Sequence, residues 1–349
     1  MEKRRLGASG LEVSVFSFGA MTFGEGGGFF KAVGDTHGND ATRLVDLCID
    51  AGVNLFDTAD VYSRGVSEEV LGKALGNRRK DVLVATKVFG RMSDGFDDIG
   101  LGRRHIIAAC EASLRRLGTD WIDLYQAHSF DGLVPLDETL RAFEDLVRSG
   151  KVRYIGCSNY SAWQLAKADG ISRRLGLTRY IGQQIQYSLM VRDVEHEMLP
   201  AGVDLGIGAL IWSPLAWGYL TGKFRDAGEP AAPTRLAQMG GIAAYDDERG
   251  RRVVDLLRDI AGAHEGASPA QVALNWVRAR PGVSSILIGA RNEAQLLDNL
   301  AAAQWELSAE EVRRLDAASA LPLPYPASHR EIYALERNPP LFPRATDPA

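Results

Sequence analysis

Cysteine is scarce in this 349-residue sequence: Cys48, Cys110 and Cys157 lie far apart and no two of them form a C-x-x-C pair. That spacing argues against a disulfide framework and against a zinc site, and it fits a reducing compartment; no metal is expected. Positive charge is not in excess either. A net charge of -5 provides no electrostatic case for nucleic acid as a partner. No apolar run approaches the roughly 18 residues of a membrane span, and the charged start Met-Glu-Lys-Arg-Arg-Leu-Gly is not followed by the apolar stretch of a secretory signal. The expectation is a cytoplasmic protein without a membrane partner. Two nucleotide signatures are missing as well. There is no Walker A sequence and no G-x-G-x-x-G; Gly206-Ile207-Gly208-Ala209 comes nearest, but it enters an apolar run instead of leaving one.

What is present is ordinary globular material, 46% hydrophobic and 24% charged, enough to bury a large core. Residues 3–16 read as a β-hairpin turning at Gly7 to Gly10, placed to cover one end of whatever follows. Short β-branched or apolar runs then alternate with helical patterns: Val15–Phe18, Asn54–Asp57, Val82–Lys87, Ile122–His128, Tyr154–Cys157, Gly182–Gln186, Ala209–Trp212 and Ser285–Ile288. Between them, helices are expected at Asp40–Ala51, Ser67–Leu75, Arg104–Leu117 and Leu136–Ser149, each ending at a glycine. Ser268-Pro269-Ala270-Gln271 is the clearest helix start, with Ser268 as cap, Pro269 in the first turn and Gln271 closing a capping box. Eight near-continuous apolar strands alternating with helices predict a parallel sheet, and eight is the number that closes into a (β/α)8 TIM barrel, here one domain over residues 1–349. A doubly wound open sheet is the rival. Two long loops, 24–39 and 222–245, are expected at the C-terminal face, and the tail Pro322–Ala349, with seven of the fourteen prolines, should not be helical before Arg330.

In such a barrel the active site is built from the C-terminal ends of the strands. The second barrel strand ends in Asp57, with Tyr62 in the loop after it; the third ends in Lys87 and the fourth in His128. Singly, each has a plain structural explanation, such as a turn former, a solvated strand end or a hydrogen-bonded histidine. Together they suit proton delivery to a carbonyl oxygen while hydride reaches its carbon. A tyrosine, with a reference pKa near ~10, is a weak acid at neutral pH, and a neighbouring ammonium improves it. Lys87 is that ammonium, Asp57 holds it charged, and a neutral His128 donates to the developing oxyanion.

Later strand ends supply a site for a dinucleotide. Ser158, Asn159 and Gln184 are suited to a carboxamide, and the flat indole of Trp212 in Trp212-Ser213-Pro214-Leu215 to a nicotinamide ring. Gly218 to Lys223 offers backbone N–H groups and an ammonium for a pyrophosphate. Gly289-Ala290-Arg291-Asn292 opens a helix after the eighth strand, where barrels often bind phosphate. Phe29, Phe30 and Trp217 suggest an apolar substrate mouth.

These residues carry a resemblance. The chain resembles an aldo-keto reductase from Arg5 to about Asp316, through Phe56-Asp57-Thr58-Ala59-Asp60-Val61-Tyr62, Thr86-Lys87, Gln126-Ala127-His128, Gly156-Cys157-Ser158-Asn159 and Gln184-Ile185-Gln186-Tyr187-Ser188-Leu189. The resemblance implies a catalytic tetrad of Asp57, Tyr62, Lys87 and His128. It also implies NADPH held by Ser158, Asn159, Gln184, Trp212 to Leu215, Gly289, Arg291, Gln295 and Asn299. Where many members have a Lys-Ser pair and a later Arg, this chain has Gly289, Ala290 and Gln295, like the branch of bacterial reductases and potassium-channel β-subunits. Arg291 is then the cation expected at the 2′-phosphate. The first reading is an NADPH-dependent reductase of aldehydes or ketones. A nicotinamide-sensing regulatory subunit is the second, and a lyase using Lys87 as a Schiff base is a third, disfavoured by Asp57.

Overall fold

The computed structural model describes residues 1–24, 36–223, 245–330 and 332. A short antiparallel hairpin, β1 (Lys3–Arg5) and β2 (Glu12–Ser14), precedes eight strands: β3 (Phe16–Gly19), β4 (Leu55–Asp57), β5 (Leu83–Val88), β6 (Ile122–Ala127), β7 (Val152–Ser158), β8 (Tyr180–Gln186), β9 (Gly208–Trp212) and β10 (Val283–Ile288). These eight are all parallel and close into a barrel in chain order, β10 returning to pair with β3. The fold is therefore the expected (β/α)8 barrel, and every expected strand end lies within two residues of the observed one. The open-sheet rival is excluded by the β10 to β3 pairing. Strands β6 and β10 are buried at every position because one face meets the barrel interior and the other meets helices.

Among the described residues the surrounding helices are α1 (Gly38–Asp50), α2 (Val66–Leu75), α3 (Arg103–Leu117), α4 (Leu136–Arg148), α5 (Ala162–Leu175), α6 (Met198–Leu205), α7 (Glu248–Ala263), α8 (Pro269–Arg278), α9 (Glu293–Ala301) and α10 (Ala309–Ser319). Sequence signals explain several of the ends. Gly118, in the left-handed region at φ 63°, terminates α3, and Ser308 and Glu311 form a reciprocal capping box at the start of α10. At α8 only half of the expected box forms. Ser268 Oγ accepts from the Gln271 N–H at 3.2 Å, but the Gln271 side chain donates to Asp298 at 2.7 Å and accepts from Trp305 at 3.0 Å. Tertiary partners have outcompeted the local one.

The hairpin closes the N-terminal end of the barrel. Leu6, Leu11 and Val13 form an inner apolar cluster with Leu55, Ala85, Leu124 and Leu210 from the strands, separate from the larger core between strands and helices. Gly7 and Gly208 let the hairpin seat this deeply: a Cβ on Gly208 would lie 2.4 Å from the Gly7 nitrogen and 2.5 Å from Ser284 Oγ. Two other expectations change. Strand β6 stops at Ala127, so His128 begins the loop, and the tail enters a helical turn at 327–330, earlier than Arg330. Residues 25–35 and 224–244, most of the two expected long loops, lie outside the described residues, as does most of the tail beyond Arg330.

Candidate active site

Asp57 is the last residue of β4, Lys87 the penultimate residue of β5, and His128 follows β6; Tyr62 opens the 3-10 turn Tyr62–Gly65. Parallel pairing of β4, β5 and β6 brings these ends together at the C-terminal mouth. Lys87 is wholly buried and its ammonium is paired with Asp57. It also donates to the Thr58 carbonyl at 2.7 Å and to the Tyr62 hydroxyl at 3.4 Å. The other Asp57 oxygen accepts from Gln184 Nε2 at 2.9 Å and from Gln126 Nε2 at 3.2 Å. A buried ion pair needs its remaining lone pairs satisfied, and these two amides do that.

The electrostatics follow from the packing. Burial disfavours the Lys87 ammonium, yet Asp57 and then Tyr62 outweigh it, and Lys87 stays above the usual lysine value. Burial, reinforced by Lys87, pushes His128 down to about 3, so its ring is neutral, as expected, and stands edge-on to Tyr62 with centroids 5.6 Å apart. Tyr62 departs from expectation. Burial raises the phenol and Lys87 pulls it back only in part, so the ammonium offsets burial without bringing the phenol below its ordinary value.

A cavity of about 840 Å³ runs from this cluster across the mouth, with Asp57, Tyr62 and His128 on its wall. Lys87 sits behind that wall. Each cofactor position expected above, from Ser158 and Asn159 through Trp212 and Lys223 to Arg291, Gln295 and Asn299, lines the same cavity, and so does Trp217. Several of their polar groups are already oriented. Ser158 Oγ donates to the Gln184 carbonyl at 2.9 Å, and Asn159 spans the His128 carbonyl at 3.0 Å and the Trp212 indole N–H at 3.2 Å. Four residues of the loop after β9 take positive φ, 53° at Ser213, 48° at Ala216, 57° at Trp217 and 93° at Gly218. Strain of this kind persists where surrounding structure imposes it, and here it shapes the cavity wall. Asn292 caps α9 by accepting from the Gln295 N–H at 3.0 Å, while Gln295 accepts from the Arg291 N–H at 3.1 Å. Phe29 and Phe30 lie outside the described residues.

Sequence reasoning gave Gln126 no role. The signal was available: it is a buried amide in a strand otherwise apolar but for Asp123, two residues before His128. Thr22, Leu287, Ile288 and Asp298 also line the cavity without having been anticipated. A dinucleotide fits this site on its own chemistry. The cavity lies at the upper end of the size range for small-molecule sites, and its wall combines the amides of Asn159, Gln184, Gln295 and Asn299, the cations Lys223 and Arg291, and the indoles of Trp212 and Trp217.

Fold and site together define a (β/α)8 barrel enzyme with an extended cavity at its C-terminal face. The model of the Aldo/keto reductase family matches residues 16–320, and the chain belongs to that oxidoreductase family. It is 39% identical to an uncharacterized oxidoreductase, YrpG, of Bacillus subtilis over 90% of this chain and 95% of that protein. A probable voltage-gated potassium channel subunit beta of Arabidopsis thaliana is 39% identical over 86% and 91% of the respective chains. Versiconal hemiacetal acetate reductase of Aspergillus parasiticus is 33% identical over 90% and 96%.

Proposed function

We propose that this protein reduces aldehydes or ketones to alcohols with NADPH, Tyr62 acting as the general acid. The observation that carries the reading is the convergence of Asp57, Tyr62 and His128, with Lys87 behind them, on a cavity that Arg291, Gln295 and Asn299 also line. When bound, NADPH supplies hydride to the carbonyl carbon. Ser158, Asn159 and Gln184 hold the nicotinamide amide, Trp212 the ring, Gly218 and Lys223 the pyrophosphate, and Arg291 the 2′-phosphate. Tyr62 gives its proton to the carbonyl oxygen as charge develops there, and Lys87 stabilises the phenolate left behind. Neutral His128 donates a second hydrogen bond and helps select the carbonyl face presented. Trp217 gives the mouth an apolar wall for substrate. The whole chain acts as one domain, in the cytoplasm. A Lys87 held as an ammonium disfavours Schiff-base chemistry.

The test is Tyr62→Phe. Removing a general acid costs about 10²- to 10⁴-fold in rate, so steady-state reduction should fall by that factor while NADPH affinity barely changes. A variant within a few-fold of wild type sinks the mechanism. A second reading, a nicotinamide-binding regulatory subunit with little turnover, draws on the relative named as a potassium channel subunit beta. Binding of NADPH without turnover on any of a panel of aldehydes, ketones and quinones would favour it.

A further inference from the structure

Behind the tetrad lies a carboxyl group with no task in the mechanism above. Asp60 is wholly buried, and among the described residues no side chain donates to either of its oxygens; the neighbouring Val61 amide gives only a weak backbone pull. Its backbone N–H donates to the Lys87 carbonyl at 3.2 Å, tying this loop to the strand that carries the ammonium. The nearby cations are engaged elsewhere. Lys87 serves Asp57, the Thr58 carbonyl and Tyr62, and Arg116 Nε donates to Glu68 at 2.6 Å. Glu68, also wholly buried, takes a further hydrogen bond from Thr86 at 2.6 Å.

The titratable and charged groups near enough to act on Asp60 are Glu68 from α2, Arg116 from α3, Lys87 from β5, Tyr125 from β6 and Tyr62 from its own loop. A carboxylate in that position is desolvated beside a second carboxylate, without a cation of its own, and both conditions favour the neutral acid. Burial first and Glu68 second push Asp60 up to about 8, against weaker pulls from the Val61 amide, Arg116 and Lys87.

We propose that Asp60 is a positioning residue that stands as a neutral carboxylic acid during carbonyl reduction and, once ionised, divides the field of Lys87 and weakens Tyr62 as an acid. This rests on Tyr62 being the proton donor. The step is one acid dissociation: Asp60 loses a proton to solvent and no other bond changes. Negative charge at Asp60 raises the Tyr62 phenol, so proton delivery slows in alkaline solution before Tyr62 itself titrates. The same ionisation acts on stability. An unfolded aspartate releases its proton near pH ~4, while the folded Asp60 keeps it to higher pH. The folded state thus binds the extra proton between those values, and its stability, full below the unfolded pKa, declines as pH rises through the folded one.

Asp60→Asn fixes residue 60 in a neutral form of the same shape. Reduction rates of both proteins at saturating NADPH, measured from about pH 6 to about pH 10, should give a variant to wild-type ratio that rises by about three- to tenfold, matching up to roughly one unit in Tyr62 acidity. The melting temperature should also fall less steeply with pH in the variant. A packing role alone lowers the rate by one factor at every pH, and parallel profiles overturn the proposal. Carbon-13 NMR of aspartate-labelled wild type reports the protonation of Asp60 without turnover and serves even if the variant does not fold. A carboxyl already ionised at pH ~6 overturns the proposal directly. If Tyr62→Phe retains full activity, the acid assignment and the role of Asp60 in rate fall together; if Tyr62→Phe is inactive and the ratio is flat, only Asp60 falls.

Discussion

At the scale of single residues, the Lys87–Asp57 pair makes the site a commitment of the fold as well as of the chemistry. Both side chains are almost fully buried, and Asp57 without Lys87 would keep only the amides of Gln126 and Gln184. Leaving one member of a buried pair uncompensated costs about 3–5 kcal/mol. Lys87→Met should therefore lower the urea midpoint strongly as well as abolish reduction, and adding Asp57→Asn should restore much of the stability but none of the activity. Equal midpoints for Lys87→Met and wild type would show that the pair contributes nothing to folding. Arg291 also lines the cavity. A guanidinium gives a phosphate two parallel charge-assisted hydrogen bonds, and a bond to a charged group is worth about 1.5–3 kcal/mol. Arg291→Ala should weaken NADPH by roughly ten- to a hundredfold and leave NADH nearly unaffected, as read by tryptophan quenching. Equal losses for both would move Arg291 to the pyrophosphate.

At the scale of elements, the hairpin and the loop after β9 do opposite jobs. The hairpin β1–β2 fills the end of the barrel away from the cavity, and the loop Ser213 to Gly218, with four residues at positive φ, builds one wall of the cavity. Gly208→Ala tests the first. Its new methyl carbon would meet the Gly7 nitrogen, Ser284 Oγ and Leu6 Cδ1 at 2.4, 2.5 and 2.9 Å, two of them on the hairpin. Overpacking of this kind costs about 1–3 kcal/mol. The melting temperature should drop while Michaelis constants hold, since no cavity residue is displaced. An unchanged melting temperature would show that the hairpin yields freely.

At the scale of the whole molecule, the barrel core ends with α10. Leu315, Asp316, Ala318 and Ser319 are buried, and no residue from Ala320 onward is buried among the described ones. Arg192 and Arg249 bind Ser319, which anchors the end of that helix. We therefore expect a chain ending before Pro322 to melt within a few degrees of the full protein while its Michaelis constants change across substrates. Loss of folding would make the tail part of the core. Prolines and a weak apolar pattern had already marked Pro322–Ala349 as something other than a core element. What they did not mark is the early helical turn, because the Ser328 and Arg330 amides that make it bond to the carbonyls of Pro324 and Pro326. Proline lacks a donor but still accepts.

By itself the sequence determined the barrel and the order of its parts. Apolar runs of strand length, glycine stops and helix periods are local properties, and eight alternations leave few closed parallel arrangements. It also placed Asp57, Tyr62, Lys87 and His128 at or just past strand ends, where a barrel gathers its reactive groups. Only the tertiary structure decided how these groups are held. Gln184 reaches Asp57 across 127 residues of chain and Gln126 across 69, and Gln271 abandons its local cap for Asp298 and Trp305. Asp60 reads as one more polar letter in a loop until burial and Glu68 surround it. Local pattern encodes which face a side chain takes, whereas charge state and hydrogen-bond choice depend on desolvation and distance, which exist only after the strands have closed.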